Sequence, residues 1–303
     1  MQPINRFKRK PKKFWADVRT ISQAVGYTER GKIGKGKIKV PTISEIESAY
    51  EKLGLGTSHL CVDHKLTALG VELLAYFEAR SELLHDYAEP NLMDATPLYD
   101  KKTGKRLNAE CENTTRARRE FERLRNKLDT KCPIPENKQK GDKKAPAYFT
   151  GMINMLIENA SNGASCNYNP LELTTVTKDR APLRTLARRV DGAFPSVVNP
   201  IAIWEIKEYY YTTTFGSRVA DGVYETLLDG MELEELHEHE QRKVLHYLFV
   251  DSHFTWWVCG KGYLCRIVDM LHMGYVDEVL FGREIFDRLP VLASEWAKIA
   301  KET

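Results

Sequence analysis

The sequence predicts an α/β fold: a mixed central β-sheet flanked by helices, with a mainly helical, basic module on its N-terminal side. Three observations carry this. Residues 188–195 and 201–207 are strand-like runs on either side of Pro195-Ser196-Val197-Val198-Asn199-Pro200, a turn-forming stretch, and read as a β-hairpin. Beyond it, helical and strand patterns alternate to the C-terminus, as expected of a sheet covered by helices. Ahead of it, apolar residues recur at helical spacing while Lys and Arg concentrate between them. The 303 residues leave room for two modest domains, expected at 1–145 and 146–303.

Composition narrows the class. No apolar run approaches the ~20 residues that a membrane helix needs. The N-terminus is basic and has no apolar signal-peptide core. Six scattered cysteines form no Cys-x-x-Cys pair, which argues against a zinc ribbon and for free thiols in a cytoplasmic protein with no membrane partner. The net charge of +3 is unevenly spread: residues 1–40 hold twelve Lys or Arg against Asp17 and Glu29, and residues 101–144 hold fifteen against seven acids. Basic segments suit a polyanion, because the phosphate backbone dominates non-specific affinity for nucleic acid. For residues 1–13 a solvated, mobile tail is the equal alternative.

Element by element, residues 14–26 read as a short helix closed by Gly26. Residues 28–40 alternate Lys with Ile, Gly and Val, the pattern of a β-ribbon or basic loop. Lys32, Lys35, Lys37 and Lys39 are candidate DNA contacts there, and the nucleotide P-loop spacing is absent. Thr42 and Glu45 form a capping box for a helix ending at Gly54 or Gly56. Together these elements could make a helix-turn-helix-like reader. Residues 65–88 carry the strongest helical stripe, and 91–106 read as a loop. Residues 113–128 form a charged helix in which Arg116 and Arg119 are candidate DNA contacts. The alternative is a salt-bridged surface helix, since Glu120 and Glu122 sit among the arginines. Residues 131–147 read as a linker and 147–160 as a helix. Residues 209–214 are expected to continue the hairpin's second strand. A helix is expected from an N-cap at Ser217 to Gly230. A strand at 244–250, a helix at 263–272, a strand at 276–281 and a helix at 284–301 complete the chain. The run at 232–243, with His237 and His239, reads as an exposed acidic helix start, with metal binding by its Glu-His-Glu-His-Glu as the rarer alternative.

The hairpin carries the chemistry. A turn centred near Val198 sets Asp191 across from Glu205. Alternation then puts Asp191, Glu205 and Lys207 on one face, with Trp204 and Ile206 on the other. Charged groups on an otherwise apolar strand are expected to be paired or to hold a metal. Six acid-x-Lys pairs occur in the chain, but only Glu205-Lys207 combines a strand-like approach with a facing acid. The plain alternative is a half-exposed hairpin with a Glu–Lys pair.

An acid, a turn, then Glu-x-Lys at the end of a hydrophobic strand resembles the PD-(D/E)XK nucleases, the restriction-endonuclease-like superfamily. The resemblance spans roughly residues 150–290, and Val190 stands where the superfamily has proline. It implies a restriction-endonuclease-like core and a Mg²⁺-dependent phosphodiesterase, with Mn²⁺ able to substitute. Asp191 and Glu205 would hold the metal, with the Ile206 backbone carbonyl as a third ligand, and Lys207 would help activate water. Glu158, on the preceding helix, is a further candidate acid, although a surface glutamate is the simpler reading. The function implied is a type II site-specific endonuclease acting on double-stranded DNA as a homodimer. The rivals are a less specific defence, nicking or resolvase-like nuclease on the same core, and a non-catalytic DNA-binding protein.

Overall fold

The computed structural model describes residues 1–29, 36–100, 102–108, 116–137 and 145–302. Helix α1 (Lys12–Val25) stops at Gly26, whose φ of 101° suits glycine. Helix α2 (Ile43–Lys52) starts on the expected capping box: the Thr42 side chain accepts from Glu45 N, and Glu45 accepts from Thr42 N. A tight hairpin, β1 (Cys61–Val62) and β2 (Lys65–Leu66), occupies the start of the region expected to be helical. Asp63 and His64 form its tip, both at positive φ. Helix α3 (Ala68–Glu82) begins only after Thr67, whose side chain accepts from Gly70 N. It runs through a π-helical turn at Leu83–Ala88 into the short α4 (Glu89–Asn91).

Helices α1, α2 and α3 pack around Phe14, Trp15, Tyr50, Tyr76 and Phe77. Residues 1–13 are not the mobile tail allowed for above. Phe7 joins this core, with its ring 5.3 Å from that of Tyr76, and Met1 is buried against the sheet. Burying two large apolar side chains anchors the segment while Lys8 and Arg9 stay exposed. Across the molecule, Asp269 accepts from Tyr76 Oη at 2.6 Å and from Arg80 Nη1 at 3.1 Å, so a buried charge pair ties α3 to the C-terminal half.

The second half supplies the sheet. Helices α5 (Arg116–Lys127) and α6 (Tyr148–Ala160) precede a separate hairpin of β3 (Thr175–Lys178) and β4 (Ala181–Thr185). Then follow β5 (Gly192–Phe194), β6 (Ala202–Lys207), α7 (Ser217–Glu240), β7 (Leu245–Val250), α8 (Lys261–Met273), β8 (Glu278–Phe281) and α9 (Ile285–Glu302). The four main strands lie in the order β5-β6-β7-β8. β5 is antiparallel to β6, and the other two pairings are parallel. The fold is therefore a mixed α/β one. Trp204, Phe249 and Leu280 face α5, α6 and α9 on one side. Leu248, Val250, Val279 and Phe281 face α7 and α8 on the other. Strands buried on both faces read as continuous apolar runs, which is how β7 and β8 look in the sequence.

Two expectations are corrected here. β6 ends at Lys207 instead of running on through 209–214. Glu208 is drawn to the open amides at the start of α6, accepting from Thr150 N at 3.0 Å and Phe149 N at 3.2 Å, and this turns the chain away. Helix α7 has Gly216, not Ser217, at its N-cap, and it passes through Gly230 to Glu240. Gly230 is a contact point and not a stop: a Cβ there would lie 2.4 Å from the Tyr275 carbonyl oxygen. The acidic run at 232–243 is mostly the last turns of this helix. Among the described residues no helix is long and apolar enough to cross a membrane, and Cys61, Cys132, Cys166, Cys259 and Cys265 are free thiols.

Candidate functional site

The β5–β6 pairing sets the site. Gly192 lies opposite Trp204, the register expected of a turn centred on Val198, and Asp191 immediately precedes the strand, beside Glu205. The Asp191 amide donates to the Trp204 carbonyl at 3.1 Å. Glycine is needed at 192 because the Trp204 indole crosses it: a Cβ there would lie 2.1 Å from Trp204 Cε2. Trp204 is buried on the opposite face, stacked on Trp296 at 5.6 Å. With period two, that orientation sends Glu205 and Lys207 toward α7. Both are buried, while Asp191 keeps an exposed face at the sheet edge.

Glu205 is the hub. Its Oε2 lies 2.7 Å from Lys207 Nζ and 3.2 Å from Arg188 Nη2. Its Oε1 lies 2.8 Å from Arg188 Nη1, but without the alignment of a hydrogen bond, so this buried oxygen has no proper donor. Arg188 also reaches two acids of α7: Nη1 lies 2.6 Å from Asp229 Oδ2, and Nη2 lies 3.4 Å from Glu225 Oε2. Lys207 fits beneath α7 because position 222 is glycine. A Cβ there would come within 3.3 Å of Lys207 Cδ and 3.0 Å of Tyr209 Oη.

The electrostatics are graded. Burial, and then the Glu205 charge, push Asp191 up to about 6. The same two causes push Asp229 up to about 7. Burial would also raise Glu205, but Lys207 and Arg188 outweigh it and hold its carboxyl below the usual range. Burial would lower Lys207, but Glu205 and Asp191 keep it above its ordinary value. Near neutral pH the site thus holds a firmly charged Glu205, two cations, and two aspartates close to titration.

Of the residues singled out in the sequence, Asp191, Glu205 and Lys207 come together. The Ile206 amide donates to Asp191 Oδ2 at 2.7 Å. A strand residue points its amide and carbonyl to the same edge, so the Ile206 carbonyl faces that edge as well. Glu158 is not brought to the site. It lies in the α6 layer across the sheet, where its Oε2 accepts from Lys131 N at 2.7 Å and Cys132 N at 2.9 Å. Lys39 Nζ pairs with Glu45 Oε1 at 2.6 Å, Lys37 is exposed, and Lys32 and Lys35 lie outside the described residues. Arg116 and Arg119 stand in the first turn of α5, a helix whose outer face also carries the Arg118–Glu122 and Arg123–Glu120 pairs. Sequence reasoning gave no role to Arg188, Glu225, Asp229 or Gly222. The one available signal for Arg188 was its place three residues before Asp191 in the same stretch.

Among the described residues no group of three or more His, Cys, Asp and Glu side chains is arranged to hold a metal ion. Mg²⁺ asks for less: one or two carboxylates, with water and substrate oxygens completing the shell. Asp191 and Glu205 with the Ile206 carbonyl make an all-oxygen donor set of that kind. Its fit rests on Glu205 Oε1, buried without a hydrogen bond though 2.8 Å from Arg188 Nη1, and on Asp191, raised by burial and then by the Glu205 charge.

Residues 112–296 match the family model described as Domain of unknown function (DUF7687), and residues 1–87 match the one described as Domain of unknown function (DUF7690). No curated protein and no solved structure matches the chain.

Proposed function

The chain belongs to the DUF7687 family, and from its Asp191–Glu205–Lys207 cluster we propose that it is a Mg²⁺-dependent endonuclease hydrolysing phosphodiester bonds in double-stranded DNA, in the manner of a type II restriction enzyme. One observation carries the reading. A carboxylate at the start of the β5–β6 pair, held by the Ile206 amide, lies close enough to a second, on β6, to feel its charge, and a buried lysine sits one strand step from that second acid at the end of β6 in a mixed sheet. The arrangement is compatible with a PD-(D/E)XK core, which likewise joins a hairpin to parallel strands through helices.

Asp191, Glu205 and the Ile206 carbonyl would hold Mg²⁺, or Mn²⁺ in its place. The bound metal would supply charge neutralisation at the scissile phosphate and a more acidic water. Lys207 is pinned by Glu205 and kept protonated, so it presents a compact ammonium that can orient a water and stabilise developing negative charge. Asp191, raised to about 6 without a metal and open to solvent, would give up its proton on holding one, so metal affinity should rise with pH through about 6. Lys37, Arg116 and Arg119 would add phosphate contacts. A palindromic duplex site would call for a homodimer, since a two-fold site matches a two-fold protein. This reading goes with a cytoplasmic protein.

A second reading rests on Arg188. Arg188 and Lys207 already neutralise Glu205, as they would in a DNA-binding protein whose cluster is only an ion-pair network. Incubating plasmid with the protein in Mg²⁺ and in Mn²⁺ and mapping the ends decides the matter. Fixed ends support the site-specific enzyme, and scattered ends or nicks support a less specific nuclease. DNA that is bound but never cut supports the second reading. Asp191→Ala and Glu205→Ala should each abolish cutting while retaining DNA binding. Cutting by either variant near the wild-type rate rejects the assigned site.

A further inference from the structure

A cavity of about 290 Å³ opens far from the carboxylates, between the N-terminal segment and the region joining α7 to β7. Lys8, Arg9 and Lys243 line it, with His237 beside them. Asp277 is the one acid among the lining residues, and both of its oxygens are engaged. Oδ1 accepts from Lys243 Nζ at 2.7 Å and Oδ2 from His246 N at 3.0 Å. Setting Lys243 against Asp277 leaves two uncompensated permanent cations on the wall.

The cavity is shaped by the backbone as well as by charge. Arg9 has a φ of 53° and its amide donates to the His272 carbonyl at 2.7 Å, which fixes the turn that carries it. Gly274, at φ 89°, leaves the space that the Arg9 side chain crosses: a Cβ there would lie 2.7 Å from Arg9 Nε. His237 adds a buried Nδ1 with no hydrogen-bond partner. The Arg9 guanidinium fork, the Lys8 ammonium and a ring nitrogen around one small space match a compact anion with several acceptor oxygens. The volume sits at the lower end of the ~300–1,000 Å³ typical of small-molecule sites, room enough for a phosphoryl group.

We propose that this cavity is a phosphate-binding site separate from the Asp191–Glu205–Lys207 cluster. Lys243 precedes β7, whereas Lys207 pairs with Val250 at the far end of that strand. At about 3.3 Å per residue the two places lie roughly 20 Å apart. The proposal does not depend on the nuclease reading. The phosphoryl group comes either from a free phosphate ester or from a nucleic-acid strand passing over the surface.

The test uses the full chain, isothermal titration with inorganic pyrophosphate, and anisotropy of a short labelled duplex at stepped salt. Pyrophosphate binding that Lys8→Gln/Arg9→Gln weakens about tenfold or more supports the site. Asp191→Ala should then bind pyrophosphate as the wild type does, whether or not it cuts DNA. If the source is a nucleic-acid strand, the double variant also binds duplex more weakly, and its log–log salt slope falls by about two. If the source is a free ester, duplex binding is unchanged. Should the double variant melt early, Lys8→Glu alone, at an exposed position, must shift binding the same way. The site is refuted if the variants bind pyrophosphate as the wild type does. It is equally refuted if the wild type binds no pyrophosphate and the variants leave duplex affinity and salt slope unchanged.

Discussion

Replacing Asp191 by asparagine removes the charge that burial, and then Glu205, disfavour. The side chain keeps its shape, and its amide oxygen can still accept from Ile206 N, but the negative charge is gone. Asp191 is raised from its ordinary 3.8 to about 6 by burial and by Glu205. The sign follows from when each state loses its proton. Below about pH 4 the carboxyl is protonated in both the folded and the unfolded chain and contributes nothing. Between about 4 and 6 the unfolded chain ionises first, so folding is increasingly penalised as pH rises. Above about 6 the penalty is complete and constant. At about 1.4 kcal/mol per tenfold its upper limit is about 3 kcal/mol. Asp191 is enclosed by protein atoms yet keeps an exposed face, and water on that face screens the repulsion. The exposure governs, and it brings the figure down to about 1–2 kcal/mol. Asp191→Asn should therefore raise the urea midpoint clearly at pH 8 and less at pH 5. Saturating Mg²⁺ at pH 8 should stabilise the wild type more than the variant, because a ligand that binds only the folded site adds to its stability. Equal urea midpoints for the two proteins at pH 8 would refute the claim that burial and the Glu205 charge penalise an ionised Asp191.

Lys207→Ala should lose ~10²–10⁴-fold in single-turnover cleavage while still binding duplex in Ca²⁺, and Lys207→Arg should not restore it fully, because a planar guanidinium is not a compact ammonium. A rate within about threefold of wild type would leave Lys207 as a mere neighbour of Glu205. Gly192→Ala should lower stability by about 1–3 kcal/mol in thermal or urea unfolding, since its Cβ would lie 2.1 Å from the Trp204 ring; an unchanged melting curve would mean the strand pair can yield there at no cost. Lys37→Ala should reduce the salt slope of duplex binding by about one, whereas Lys39→Ala should not, because Glu45 already holds Lys39 at 2.6 Å. Equal losses from both would place both lysines on phosphate.

Local pattern was enough for much of this protein. The nearness of Asp191 to Glu205 was legible because side chains alternate along a strand and the turn position sets the register. The Thr42–Glu45 capping box, the apolar stripe of α6 and the apolar runs of β7 and β8 were legible for the same reason: each is written within a few consecutive residues. Misreadings arose where a distant group intervened. The Tyr and Thr residues at 209–214 favour a strand, yet Glu208 leaves the sheet for the amides of α6, which starts sixty residues earlier in the chain. Gly230 looks like a helix stop, but it is the point where α7 meets Tyr275. Lysines and arginines at the N-terminus look like a solvated tail, but Met1 and Phe7 pull the segment onto the body.

At the site, the sequence by itself determined that Glu205 and Lys207 share a face of β6 and that Asp191 lies beside them at the start of the partner strand. Only the tertiary structure decided what they meet there. The parallel pairing of β6 with β7 requires a crossover, and that crossover is α7, which brings Glu225 and Asp229 over Lys207 and Arg188. Burial by that helix then sets the charge states, pushing Asp229 up to about 7 and leaving Glu205 ionised between two cations. A period of two fixes direction along a strand, but solvation and neighbouring charge depend on packing between elements far apart in the chain.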